Sequence, residues 1–432
     1  MATSLVPGSD VSLRTRLSRG LAAGCALAVG LVVLAPTTPA SAATAKPRIT
    51  HLTSVADFNA GTKQGVSVGS DGSIRIASTP RGTTSYRDPY GNGTSKRFDY
   101  GRWISPWVST GMDAKNMILS WNAKTSGSTL LRFHVRTKSG WRTSSWDEIA
   151  AWGASTSSTH RHSGSAQSDD LNTLLTDTLT ANDGHAINRW QVQVTLYRAA
   201  GTSVTPTVTA LSGVASPYAK RYPTSASRTT MTQTVELKVP RHSQMIHRGH
   251  EPQWGGGGEA WCSPTSTSMV LRYWKAGPTS GAYAWSGETD GHVDHAARYT
   301  YDHTYRGNGN WPFNTAYAAH YNVPGFVTRL WSLTDVEKFI KAGIPVVVSV
   351  AFKKGQLTGA PISSTNGHLM VITGISAGGR VIANDPAAPS NWSVRRVYDR
   401  RQFEKVWLNG SGGIAYVIAP ESKALPASTG RW

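Results

Sequence analysis

Between about Arg48 and Ala215, short apolar runs alternate with clusters of Gly, Ser, Thr and Asn, and long helical periodicity is scarce. In Leu131-Arg132-Phe133-His134-Val135-Arg136 the apolar residues occupy every second position, as they do in Trp190-Gln191-Val192-Gln193-Val194-Thr195-Leu196. Successive strand side chains point to opposite faces, so period two predicts strands that each bury one face. A series of such strands predicts an all-β sandwich or jelly-roll domain at residues 43–215. Trp103, Trp107, Trp121, Trp141, Trp146 and Trp152 are spread through it. Their commonest use is core or edge packing, and stacking on sugar rings is the alternative.

The pattern then changes. Residues 216–234 are rich in Ser, Thr and Arg, contain Pro217 and Pro223 and show no periodicity, which predicts a linker. Beyond Val235, Cys262 to Trp274 reads as a helix. So does Leu333 to Ala342, with Ser332 as N-cap, Asp335 in the first turn, Gly343 closing it, and Leu333, Val336, Phe339 and Ile340 on one face. Strand-like runs follow at Ile344–Val350, His368–Ile375, Val381–Asn384 and Ile414–Ile418. The turn Ser376-Ala377-Gly378-Gly379 would fold the second and third of these into a hairpin. Helices followed by antiparallel strands predict an α+β domain at residues 235–420, with 421–432 a C-terminal tail.

The N-terminus carries Arg14, Arg16 and Arg19, an apolar run from Gly20 to Ala35, and the small-residue site Ala40-Ser41-Ala42. That order predicts a signal peptide over residues 1–42 and a secreted, extracellular protein with no membrane span after cleavage. The lipoprotein alternative at Cys25 is set aside, because the apolar run continues past it. Cleavage removes three of 44 basic and one of 25 acidic residues, leaving 41 − 24 = +17. Such a charge favours acidic partners, cell-wall polymers or other anionic polysaccharides among them, while a solvated basic surface is the bland alternative. No zinc-finger or basic-helix motif points to specific nucleic-acid recognition, and a monomer is the default expectation.

Of the two cysteines, one leaves with the signal, so the mature chain keeps only Cys262 and has no internal disulfide. Cys262 precedes Ser263-Pro264-Thr265, and Pro264 suits a first helical turn, where a missing N–H costs nothing. The helix dipole and free backbone N–H groups there favour a thiolate and can hold an oxyanion. His368 opens an apolar strand directly after Gly367, which leaves room for a substrate chain, and Asp385 follows in Asn384-Asp385-Pro386. Across the predicted hairpin the carboxylate would orient the imidazole and stabilise its charged form. The plainer readings are a buried inert thiol, a satisfied core histidine and a turn aspartate. His292, Asp294, His295 and His303 fit no strong zinc spacing and read as a polar loop or helix surface, so neither a metal nor a cofactor is expected.

Four segments resemble the papain-like cysteine peptidases related to bacteriocin leader-processing enzymes, family thirty-nine. They are Val239-Pro240-Arg241-His242-Ser243-Gln244, the run from Trp261 to Leu271, Gly367-His368-Leu369-Met370-Val371-Ile372-Thr373-Gly374, and Asn384-Asp385-Pro386. The resemblance covers about Val235 to Pro420. It implies a papain-like fold and hydrolysis of a peptide or isopeptide bond, with Cys262 attacking, His368 as base, Asp385 orienting it and a glutamine assisting the oxyanion. That glutamine matches Gln244, although 262 − 244 = 18 positions separate it from the cysteine and Gln253 lies closer. Ser263 stands where such families often carry Gly, and the β-rich module is not part of the family's best-known architecture. Two other functions stay open: a wall- or glycan-binding protein whose papain-like domain is inactive, and cleavage of peptidoglycan amides by the same thiol chemistry.

Overall fold

The alternation in the first domain resolves into strands. In Leu130–Ser139 the side chains of Leu131, Phe133 and Val135 are buried, while Arg132, His134 and Arg136 are half-exposed on the other face. The computed structural model describes residues 45–432 apart from Ser158, Asp169 and Thr429, so the segment 1–42, expected to be a signal peptide, lies outside the described residues. Strand Leu130–Ser139 lies between Asp147–Trp152 and Ile187–Ala199, antiparallel to both, with Val135 opposite Val192. These belong to a nine-stranded sheet; a seven-stranded sheet is centred on Asn116–Lys124 and Thr207–Ser216. Both sheets send apolar side chains into one core around Phe133, Trp121, Val194 and Leu211, all essentially inaccessible.

The tryptophans divide. Trp103, Trp121 and Trp152 are buried, whereas Trp107 and Trp146 are half-buried and flank the Arg136 guanidinium at 5.1 and 4.5 Å. Trp141 is 86% exposed.

The segment after Ser216 has neither helix nor strand up to Thr234, but it is not a free linker. Met231 is buried, and Thr229 and Thr230 donate to the Glu337 carboxylate through their hydroxyls and the Thr230 N–H, each at 2.7 Å. The reason is chemical: Glu337 is fully buried on the helix Leu333–Lys341, and these donors, with Arg400 at 2.7 Å, are what its charge is paired with.

The second domain is a seven-stranded antiparallel sheet in the order Gly325–Arg329, Ile414–Ile418, Val346–Phe352, Thr365–Ile375, Val381–Asn384, Arg395–Tyr398, with Val235–Glu236 added beside Thr365–Ile375. Helices Cys262–Tyr273, Trp311–His320, Leu333–Lys341 and Arg400–Ser411 pack on it, and His292–Thr300 packs on the first two, an α+β arrangement. The hairpin turn forms as expected: the Gly379 N–H donates to Ser376 O at 2.8 Å and Gly379 takes φ +79°, a conformation that suits glycine. Ser332 occupies the N-cap position of Leu333–Lys341 in an extended conformation, yet its side chain makes no cap bond. Asp335 accepts from the Trp331 N–H and Glu404 from the Leu333 N–H instead.

The two domains share their core. Phe313 packs edge-on against Trp121 and Trp152 at ring distances of 6.0 and 5.1 Å, and one hydrophobic cluster runs from Trp121 to Met269 and Val371. The tail is also tied down, since Arg431 forms a two-pronged ion pair with Asp335 and the Ile49 N–H donates to Gly430 O. Among the described residues no helix is long and apolar enough to cross a membrane.

Candidate active site

Helix Cys262–Tyr273 begins at the cysteine, with Pro264 in its first turn. It has little amphipathic pattern, because its Ser and Thr residues are buried on several sides and bond to their neighbours. Ser266 Oγ donates to Leu369 O at 3.2 Å, and Thr267 Oγ1 donates to Asn314 Oδ1 at 3.3 Å. Ser263, where a glycine is common in the resembled family, is buried with its hydroxyl 3.0 Å from the Tyr416 hydroxyl. The serine is therefore accommodated by a polar partner in the sheet.

His368 and Asp385 meet as the hairpin predicts. The register Val371 opposite Asn384 brings Asp385, one residue past its strand, level with the strand that carries His368. His368 Nε2 lies 2.7 Å from Asp385 Oδ1, both residues being buried. The same carboxylate accepts from the Tyr398 hydroxyl at 2.7 Å and from the Ala387 N–H at 3.0 Å, so both its oxygens are engaged. The His368 ring and Cys262 also act on each other, the imidazole lowering the thiol and the thiol raising the imidazole.

The electrostatics follow from this chain of contacts. Burial pushes the Cys262 thiol up, but the hydrogen bond and charge of His368, with the backbone of Leu369 and Ser263, outweigh it and hold the thiol below its ordinary value. Burial pulls His368 down, yet the charge and hydrogen bond of Asp385, reinforced by Cys262, raise it to about 10. Burial likewise works against the Asp385 carboxylate, and His368 and Tyr398 bring it below the usual range. Both shifts favour a thiolate beside an imidazolium.

Cys262 is partly accessible and opens on a cleft of about 340 Å³ with Gly367, Leu369, Ala351 and Gly410 in its walls. A Cβ added to Gly367 would touch no protein atom and would stand in this space. Leu175, Thr176 and Asp177, from the first domain, form a further wall. Asp177 is buried and accepts from the Trp311 N–H at 2.9 Å; burial raises its carboxyl to about 6. Nothing in the sequence around 175–177 marked these residues, because their role depends on how the domains pack. A second cavity, of about 250 Å³ and including Trp152, Arg161 and His320, shares no lining residue with this cleft.

Gln244 is not among the residues lining the cleft. It is buried behind the turn that leads to Cys262, and its Nε2 donates to Glu259 O at 2.7 Å. Gln253 is exposed and bonded to Glu251. The expected polar surface of His292, Asp294, His295 and His303 is corrected: all but the half-buried His303 are buried, because helix His292–Thr300 is enclosed by neighbouring helices and the 242–261 segment. His295 pairs with the Tyr317 hydroxyl at 2.9 Å and His303 with Arg161 O at 2.8 Å, whereas His292 and Asp294 meet histidines from that earlier segment.

Comparison with known proteins bears on both domains. Residues 48–216 match the Peptidase C39 N-terminal domain, and residues 236–414 match the Peptidase_C39 like family. No curated protein matches the chain. Among solved structures, one described as a C39-like peptidase from Bacillus anthracis is 18% identical, with 44% of this chain and 98% of that chain covered and a TM-score of 0.28. A peanut lectin with a nine-residue peptide is 11% identical over 40% of this chain and 98% of its own, at a TM-score of 0.24. Scores this low carry no argument about either domain. The matched segments identify residues 236–414 as a domain of the Peptidase_C39 like family, preceded by a Peptidase C39 N-terminal domain.

Proposed function

We propose that this chain is an exported, papain-like cysteine peptidase or amidase that hydrolyses a peptide or isopeptide bond through Cys262, His368 and Asp385. The observation that supports it is the hydrogen bond between the His368 imidazole and the buried Asp385 carboxylate, with the Cys262 thiol electrostatically coupled to that imidazole and opening on a cleft. The Cys262 thiolate attacks the substrate carbonyl, and His368 gives its proton to the departing amine, leaving a thioester. His368 then takes a proton from water, the resulting hydroxide attacks the thioester, and the acid product leaves as the thiolate is restored beside the imidazolium. Asp385 keeps the imidazole oriented and its cation stabilised throughout.

The oxyanion falls to the Cys262 N–H, which as a first helical residue has no intrahelical acceptor, and to the positive end of that helix. Gln244 acts one layer back in this reading, by fixing the Glu259 carbonyl beneath the turn. Export is supported by the arginines, apolar run and Ala40-Ser41-Ala42 site. Iodoacetamide should label Cys262 at neutral pH, and Cys262→Ala should abolish hydrolysis of a peptide library. A thiol that stays inert in the folded protein sinks the proposal.

One observation favours a binding role beside catalysis. Trp107, Trp146, Arg136 and Lys138 form a basic aromatic cluster, Lys138 lying 4.7 Å over Trp107, on a chain of strong positive charge. Purified wall retained by Cys262→Ala, and cleared by the wild type in zymograms where casein is not, would make peptidoglycan the substrate.

A further inference from the structure

Two groups of imidazoles and carboxylates form where the segment from His242 to His250 meets the turn and helix from Asp290. In the more buried group His247, His250 and Asp294 each present a ligand atom, and these atoms lie within 4.8 Å of one another. His247 and Asp294 are fully buried and His250 partly so. His247 Nδ1 stands 2.9 Å from Asp294 Oδ2, and His250 Nδ1 3.4 Å from Asp294 Oδ1.

These approaches have the length of hydrogen bonds or ion pairs without their alignment. Both ring nitrogens of His247, Nδ1 of His250 and both oxygens of Asp294 are buried with no hydrogen-bond partner. A histidine–aspartate pair kept for stability would direct an N–H at an oxygen, as His368 does toward Asp385. Here two imidazoles approach separate oxygens of one carboxylate at ion-pair distance, and none of the five atoms makes an aligned hydrogen bond. Buried polar groups without aligned hydrogen bonds recover less of their desolvation penalty.

The geometry points to a divalent cation of the zinc type held by His247, His250 and Asp294. At zinc–nitrogen and zinc–oxygen lengths near 2.0–2.2 Å, tetrahedral ligand atoms stand roughly 3.4 Å apart, and the three ligand atoms here already lie within 4.8 Å of one another. Two imidazoles and one carboxylate suit zinc better than calcium or magnesium, which prefer oxygen ligands. Glu288 Oε1, 3.6 Å from His250 Nε2, is placed to orient that ring from behind, as ligand histidines commonly require. The spacing His247-x-x-His250 is the local signal in the chain, and Asp294 joins it only through the fold.

The ion would hold a position rather than react. His247 ends the short helix that Gln244 begins, and its ring lies 6.2 Å from Trp261, which packs with Val293 and Ala297. Trp261 directly precedes Cys262, and its carbonyl accepts from the Thr265 N–H at 3.0 Å. A cation here would clamp the approach to the nucleophile onto helix His292–Thr300. The neighbouring group of His242, Asp290 and His292 is more open, and Asp290 Oδ2 already accepts from Asn391 Nδ2 at 2.8 Å; it serves as the control.

The test uses untagged full-length protein carrying Cys262→Ala, so that the thiol cannot hold metal and the outcome is independent of the catalytic reading. After incubation with zinc sulfate and desalting, metal analysis should find tightly held zinc. His250→Ala and Asp294→Asn should each lose about one equivalent, whereas His242→Ala should keep it. Cobalt loaded in place of zinc should give visible bands of a four-coordinate site in the parent and not in His250→Ala. No zinc retained by the parent, or equal zinc in the parent and in a His250→Ala variant of native circular dichroism, overturns the assignment.

Discussion

Replacing Asp385 by Asn tests the electrostatic account most directly, because it removes one charge and little else. The amide is isosteric: its oxygen can still accept from His368 and Ala387, and the Tyr398 hydroxyl can turn from donor to acceptor. What disappears is the anion that raises His368 to about 10. Burial then dominates, the imidazole loses its proton near neutrality, and the thiol loses the cation that lowers it. If the thiol returns to an ordinary pKa of about 8.5, only about 3% is thiolate at pH 7, so alkylation slows by at most roughly 30-fold. Peptide hydrolysis, which needs the imidazolium as acid as well, should fall further, by about 10²–10⁴. The assay is the second-order rate of iodoacetamide labelling from pH 5 to 10. The variant should show a late rise that meets the wild type near pH 10, where both thiols are ionised. Equal rates at pH 6 would refute the coupling of Asp385 to the sulfur through His368.

Two further outcomes are expected. The folded state raises the Asp177 carboxyl to about 6 and so binds its proton more tightly than the unfolded chain. Its contribution to stability is greatest in acid and declines as pH rises from about 4 through 6, so Asp177→Asn should gain on the order of 2–3 kcal/mol relative to wild type at pH 7.5 and nothing at pH 3.5, read by urea unfolding. Phe313→Ala should cost about 3–5 kcal/mol and leave a single unfolding transition reported alike by tryptophan fluorescence and far-ultraviolet dichroism, because Phe313 belongs to a core common to both domains.

Where the chemistry is local, the chain announces it. Cys262 before Ser263-Pro264, the turn Ser376–Gly379 and the strand starting near His368 are short-range signals, and together they suffice to bring thiol, imidazole and carboxylate into line. Gln244 was matched by motif but lies behind the turn, because pairing it with the cleft requires knowing how the 244–261 segment folds back. The histidines at 242–250 and the acids at 290–294 are unremarkable apart in sequence and become a cluster only when helix His292–Thr300 docks. The 217–234 segment looked free because its anchors, Glu337 and Arg400, lie about a hundred residues or more downstream. Strand pattern revealed the tryptophans' region but not their fates, since burial of Trp121 and exposure of Trp141 depend on partners across the sheet and across domains.

The wall contributed by Leu175, Thr176 and Asp177 sits in a tight hairpin between Asn172–Leu175 and Thr178–Ala181, with Thr176 at φ +56°. One side of the cleft is thus supplied by a loop that belongs to a different sheet from His368 and Asp385. A change in the length of that hairpin would alter this wall while leaving the hairpin that joins His368 to Asp385, and the helix that carries Cys262, undisturbed.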